Sequence, residues 1–233
     1  MRGKKVVVLT GAGISAESGI KTFRDNDGLW ENYRIEEVAT PQAWQADPEL
    51  VWKFYQARRR QMNEVGPNPA HEALAKLESE LDDFTLITQN VDDLHERVGS
   101  KNLIHMHGEL AKLRCESCAF VEEMMEDEHL GENFLTCEPC EGRMRPHIVW
   151  FGEMPMQLAE IQEALLECDV FIAIGTSGHV YPANGFLHTA RRLGAHTIGI
   201  NLDPPENVVF FDEFFQGKAG EILPLLVERW TNG

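Results

Sequence analysis

The stretch Val6-Val7-Val8-Leu9-Thr10-Gly11-Ala12-Gly13-Ile14-Ser15-Ala16 decides the fold. An apolar run that ends on closely spaced glycines reads as a buried strand turning into a helix, the entry of a mononucleotide-binding unit. Gly11 can take backbone angles closed to other residues, and Gly13 lets the main chain approach a pyrophosphate lying on helix N-terminal amides. The string alone fits a plain strand-turn-helix as well, so its companions must decide.

Outward from that stretch, the chain alternates. Asp47-Pro48-Glu49 opens a helical segment to about Asn63, a small insertion closed by Pro67 and Pro69. Helix from His71 to Leu81, strand from Phe84 to Thr88, helix from Asp92 to Val98 and strand from Leu103 to His105 follow. Beyond a cysteine-bearing segment come helix (158 to 166), strand (170 to 174), helix (184 to 193), strand (197 to 201) and a closing helix (219 to 230). Strands separated by helices imply an α/β fold with a doubly wound, mainly parallel sheet. Ligands bind outside the carboxyl ends of such strands. Here those ends carry Gly11-Ala12-Gly13, Gln89-Asn90, Gly175-Thr176-Ser177 and Asn201-Leu202-Asp203. The acidic ribose contact usual about 20 residues after the glycines is missing, because Asp25 and Asp27 lie in a loop-like run. A dinucleotide would therefore be gripped differently than in a standard dehydrogenase.

Composition narrows the function. With 233 residues, 43% hydrophobic and 25% charged, the chain has the make-up of a globular protein. A net charge of −17 argues against nucleic acid and anionic lipid and favours a cationic polypeptide partner. The basic N-terminus precedes too short an apolar run for a signal peptide, and nothing approaches a membrane span of about 20 residues. A cytoplasmic protein, monomeric or weakly oligomeric, is expected.

Cys115-x2-Cys118-x18-Cys137-x2-Cys140 is the strongest local signal. Two such knuckles can supply four thiolates tetrahedrally to zinc, with no coordination position left open, so the metal would be structural and catalysis would come from elsewhere. Cys168 has no partner at suitable spacing and reads as a core residue.

Taken in order, Gly11-Ala12-Gly13-Ile14-Ser15, Thr22-Phe23-Arg24, Gln89-Asn90-Val91-Asp92, His107-Gly108, the four cysteines and Gly175-Thr176-Ser177 resemble the sirtuin family of NAD-dependent protein-lysine deacylases. Phe54-Tyr55-Gln56-Ala57-Arg58 and the stretch from Pro146 to Glu153 resemble its bacterial and desuccinylase-type branches. The resemblance implies a Rossmann-like large domain (1–28, 68–110 and 146–233) and a small domain made of the helical insertion (29–67) and a zinc ribbon (111–145). Acyl-lysine and NAD would meet in the cleft between them, giving nicotinamide, free lysine and an O-acyl-ADP-ribose.

The same resemblance implies roles. His107 matches the general base, and an ordinary histidine pKa near 6.5 suits that task at neutral pH. Asn90 and Asp92 would act with it, and with Gln89 would hold the nicotinamide ribose and carboxamide. Asn90 could alternatively cap a helix. Gly11, Ala12, Gly13, Ile14, Ser15, Glu17, Thr22, Phe23, Arg24, Gly175, Thr176, Ser177, Asn201, Leu202, Asp203 and Ala219 fall on the NAD side. His105, two residues from His107, reads as a structural neighbour.

For the acyl group, Tyr55 and Arg58 share a helix face, and a guanidinium with a phenol can grip a dicarboxylic acyl group such as succinyl. Read without the resemblance, Arg58-Arg59-Arg60 is a solvated basic face with Tyr55 packed beneath it. Ala39 leaves room in the acyl pocket, and Val149, Phe151, Gly152, His179 and Val180 would contact the peptide. Mono-ADP-ribosyl transfer to protein, or a non-enzymatic NAD-sensing zinc ribbon, are the alternative functions.

Overall fold

The computed structural model describes residues 1–21, 29–30, 33–124 and 134–232. The first apolar run is β1 (Lys5–Thr10), and a short antiparallel pair, β2 (Leu29–Trp30) and β3 (Tyr33–Arg34), follows. Three helices come next: α1 (Ile35–Val38), α2 (Pro41–Ala46) and α3 (Pro48–Glu64). Asp47 caps α3 by accepting the Leu50 N–H, with Pro48 pre-set in the first turn. Then come α4 (Pro69–Glu80), β4 (Asp83–Thr88), α5 (Leu94–Arg97) and β5 (Leu103–His105). A separate three-stranded sheet holds β6 (Gly108–Cys115), β7 (Val121–Glu123) and β8 (Met144–Ile148). The chain closes with α6 (Leu158–Leu166), β9 (Val170–Ile174), α7 (Asn184–Arg192), β10 (His196–Asn201), β11 (Glu213–Gln216) and α8 (Ala219–Asn232).

The large sheet runs β11-β10-β9-β1-β4-β5, and every pairing in it is parallel. Chain order reverses between β1 and β9, the crevice where doubly wound sheets bind dinucleotides. Side-chain alternation covers both faces. Val6 and Val8 of β1 pack with Leu74 and Leu77 of α4 and with Leu223 and Val227 of α8. Val7 and Leu9 point the other way, onto Ile161 and Leu165 of α6 and Phe186 and Leu187 of α7. A third core joins the helical insertion to the ribbon: Val51, Trp52, Phe54 and Tyr55 of α3 pack with Leu113, Cys115, Met144 and Trp150.

Three local expectations change. The glycine turn after β1 opens into two 3₁₀ turns, Ala12–Ile14 and Ala16–Ser18, not an α-helix. Ser15 and Asn68 hold that segment by side-chain bonds, and Gly19 leaves it at φ +96°. The helix expected from Asp92 shrinks to the single turn of α5, because Asp92 is buried in a polar network ahead of it. The sheet also gains a sixth strand, β11, at its edge. Among the described residues no helix is long and apolar enough to cross a membrane.

Candidate active site

At the β1/β9 crevice two glycine turns interlock. The Gly11 N–H donates to the Ile174 carbonyl at 3.0 Å and the Gly13 N–H to the Gly175 carbonyl at 2.9 Å. A Cβ on Gly13 would lie 2.7 Å from the Gly175 Cα, and one on Gly175, at φ +63°, would lie 2.4 Å from the Ile14 nitrogen. The space Gly13 leaves is thus filled by the neighbouring turn, so its first use is backbone-to-backbone packing.

Behind these turns, Asn90 donates from Nδ2 to Ser15 Oγ at 3.0 Å, and Ser15 donates to Asp92 Oδ2 at 3.1 Å. Asn90 is therefore tied to the turn after β1 and does not cap α5, whose N-cap is Asp93; Asp92, one residue ahead of that cap, accepts the Leu94 N–H at 3.3 Å. Burial pushes the Asp92 carboxyl above the ordinary carboxylate range, opposed by the bonds from Leu94 and Ser15.

His107 Nδ1 lies 3.1 Å from the Gln89 carbonyl, which can only accept, so Nδ1 carries the proton and Nε2 keeps its lone pair. Burial holds its pKa below the ordinary histidine value, with the Gln89 bond acting in the opposite sense. His107 is thus a neutral imidazole at pH 7.

One cleft of about 630 Å³ unites these groups. Its lining includes Gly11, Ala12, Gly13, Ser15, Glu17, Gly175, Thr176, Ser177, Asn201, Leu202, Asp203 and Ala219, together with Gln89, Asn90, Asp92 and His107. Ala39, Tyr55, Arg58, Val149, Phe151, Gly152 and Val180 line the same cleft. Two residues of the expected set stand apart. Ile14 is wholly buried in the core, and His179 does not line the cleft, because its imidazole pairs with Glu206 at 3.3 Å. Thr22, Phe23 and Arg24 lie outside the described residues.

On α3, Arg58 and Arg59 are each 7% exposed, so the solvated-face reading fails for them and holds only for the exposed Arg60, while Tyr55, 2% exposed, is packed as either reading expects. The Trp150 indole N–H donates to the Tyr55 hydroxyl at 3.0 Å. Burial pushes the Tyr55 phenol far up, keeping it neutral. Trp150 is itself clamped, with the Arg145 guanidinium 3.3 Å over its ring and Arg145 bonded to Glu153 at 2.7 Å. Gln61, Trp150 and Lys218 also line the cleft and were not expected. Gln61 follows Arg58 by one helical turn, a spacing that could have indicated it.

The four ribbon cysteines converge: their sulfurs all lie within 4.8 Å of one another, with Cys115 to Cys140 at 3.5 Å and Cys118 to Cys137 at 3.6 Å. Those separations are far beyond an S–S bond of about 2.05 Å and suit four thiolates about 2.3 Å from one zinc. A Cβ on Gly142 would strike the Ser117 hydroxyl at 2.8 Å and the Cys115 sulfur at 3.0 Å, so the second knuckle needs glycine there. Backbone N–H groups of Cys118 and Ser117 pull the Cys115 thiol down to about 6. Cys168 is buried beyond the end of α6, where burial raises its thiol to about 11, the profile of an inert core residue.

A fold with a β1/β9 ligand crevice, a neutral histidine beside it and a four-thiolate ribbon defines a class, and comparison with known proteins gives the family. Residues 11–182 match the model of the Sir2 family. The NAD-dependent protein deacylase of Vibrio cholerae serotype O1 is 56% identical over 97% of this chain and 93% of its own length. That of Escherichia coli K12 is 53% identical over 100% of this chain and 84% of its own. Among solved structures, a Sir2 homologue in complex with NAD superposes with a TM-score of 0.90 at 44% identity, covering 99% of this chain and 90% of that one. A Sir2 homologue carrying 2′-O-acetyl-ADP-ribose also gives 0.90 at 44% identity, covering 97% and 91%. The chain belongs to the Sir2 family.

Proposed function

We propose that this chain removes acyl groups, dicarboxylic ones such as succinyl as well as acetyl, from protein lysines with NAD as co-substrate. NAD-dependent protein deacylation is the activity of its class, carried by 53–56% identity across 97–100% of the chain to enzymes so named. The single observation behind the wider acyl range is that Tyr55 and Arg58 share one cleft with His107.

When bound, NAD supplies the ribose carbon that receives the acyl oxygen and the nicotinamide that leaves. The chain's residues do the rest. His107 accepts a ribose hydroxyl proton at Nε2, which its Nδ1 bond to Gln89 keeps available. Gln89, Asn90 and Asp92 hold the nicotinamide ribose and carboxamide, and the Gly11 and Gly175 turns with Ser177, Asn201 and Ala219 receive the remainder of the dinucleotide. Arg58 pairs with the distal carboxylate of the acyl chain, and the Tyr55 phenol adds a hydrogen bond. Val149, Phe151, Gly152 and Val180 border the path of the peptide. Cys115, Cys118, Cys137 and Cys140 would hold one structural zinc. Because two of these cysteines share a core with α3, the insertion and the ribbon act as one small domain beside the large sheet.

The experiment is a comparison of kcat/KM for acetyl and succinyl forms of one peptide. Turnover of both supports the proposal; acetyl turnover with no detectable succinyl turnover removes the dicarboxylic part.

A further inference from the structure

His105 does more than neighbour the base. It ends β5 opposite Thr88 of β4, and the Met106 N–H continues that pairing by donating to the Thr88 carbonyl at 3.1 Å. Past the strand ends, three consecutive loop carbonyls are taken by one segment. The Gln89 carbonyl meets His107 Nδ1 at 3.1 Å, the Asn90 carbonyl meets His105 Nδ1 at 3.3 Å, and the Val91 carbonyl accepts from the Leu110 N–H at 2.8 Å. The other nitrogen of His105, Nε2, lies 2.6 Å from Glu96 Oε1.

A carbonyl and a carboxylate both only accept, so satisfying both requires a proton on each ring nitrogen: an imidazolium. His105 is 8% exposed, and it does not line the cleft, whereas Asn90 does. From these contacts we propose that His105, held doubly protonated by Glu96, is a positioning residue that fixes the Gln89–Asp92 loop in the shape that receives NAD. The inference rests on the deacylase reading only for the identity of the ligand.

The charged surroundings fit. Glu96 on α5 and Glu109 on β6 flank the ring, with their oxygens and a His105 nitrogen all within 4.8 Å, and Lys112 pairs with Glu109 at 2.8 Å. Asp92 in the loop and His95 on α5 are the other titratable groups that feel its charge. Burial opposes the charged form of His105, but the Glu96 bond, the Glu96 and Glu109 charges and the Asn90 carbonyl outweigh it, and the net pKa is raised. Loss of that proton at high pH leaves the ring able to donate to only one of its two partners.

Two measurements on the full-length protein test this. Nitrogen-15 NMR of the histidine rings reads protonation directly, and titration calorimetry with ADP-ribose reads loop competence without turnover. The wild type should show both His105 nitrogens protonated at pH 7, with ADP-ribose affinity falling as pH rises through that group's titration. Glu96→Gln keeps an acceptor but removes the charge. It should weaken ADP-ribose binding about 10-fold at pH 8, as expected for loss of a charge-assisted hydrogen bond, and recover wild-type affinity near pH 6. The acid limb of kcat/KM, which belongs to His107, should not move. A neutral His105 ring at pH 7, or wild-type ADP-ribose affinity in Glu96→Gln at every pH, would overturn the proposal. Failure of the wild type to bind ADP-ribose at all would instead overturn the NAD-dependent reading on which it stands.

Discussion

Replacing Arg58 with methionine should change which acyl group the enzyme prefers while leaving its chemistry intact. Methionine keeps an unbranched, flexible stem but drops the guanidinium and its charge, so most of the apolar contact of the α3 face stays filled. Arg58 as a whole is 7% exposed, a site where water competes poorly for an incoming carboxylate. Its bond to that carboxylate is charge-assisted, worth about 1.5–3 kcal/mol, which corresponds to about 10- to 150-fold in kcat/KM for a succinyl peptide. Tyr55 contributes less, because its phenol is held neutral and its hydrogen bond belongs in the range of about 0.5–1.5 kcal/mol. Arg58→Met should therefore exceed Tyr55→Phe on the succinyl substrate, and neither should cost more than about 3-fold on the acetyl form, which offers no carboxylate. The assay is kcat/KM for both peptides with wild type and both variants. Equal losses on the two substrates would refute the reasoning, since they would mean that the helix face supports the site as a whole.

Other consequences follow from the same geometry. Stripping zinc should unfold the ribbon and, through the shared core of Cys115, Cys137, Trp52 and Trp150, alter tryptophan fluorescence and abolish turnover; structural zinc in finger peptides is worth about 10–16 kcal/mol, so a metal-free protein with native Tm and full activity would contradict it. Because burial depresses the His107 pKa and only the neutral form can accept a proton, the acid limb of kcat/KM should have its midpoint below the ordinary histidine value of about 6.5, separate from the alkaline loss expected from His105; an acid-limb midpoint above about 6.5 would be inconsistent with that environment. Gly13→Ala would place a Cβ 2.7 Å from the Gly175 Cα, so stability should drop by about 1–3 kcal/mol, read as a lower Tm, together with weaker NAD binding; an unchanged Tm would mean that the two turns part easily.

Much of this was legible in the chain, for physical reasons. Strands buried on both faces read as unbroken apolar runs, which is why Val170–Ile174 and the run into Gly11 stand out. β11 did not, because Glu213-Phe214-Phe215-Gln216 is short and lies at the sheet edge with only two half-buried residues. The ribbon strands are polar and irregular, with a register shift between Glu109 and Leu113, and their pairing follows from closure of the cysteine knuckles more than from any apolar period. The cysteine knuckles were readable because their spacing is local, whereas His107 and the Tyr55 and Arg58 pair stood out only through short motifs that resemble the family's. What holds them is not local. Trp150 reaches Tyr55 across 95 residues, and Gly13 needs its shape because of Gly175, which no window around either residue reveals. His105 illustrates the limit well: its spacing from His107 was visible, but its partners Asn90 and Glu96 are set by how β5 lies beside β4.

The most direct test of the central claim is product identity. Purified, zinc-loaded protein incubated with NAD and a succinyl-lysine peptide should yield nicotinamide, free-lysine peptide and O-succinyl-ADP-ribose in equal amounts by mass spectrometry. His107→Ala, with unchanged zinc content and circular dichroism, should yield none above background. ADP-ribose attached covalently to protein in place of the acylated nucleotide, or undiminished product from the folded His107→Ala variant, would contradict the account.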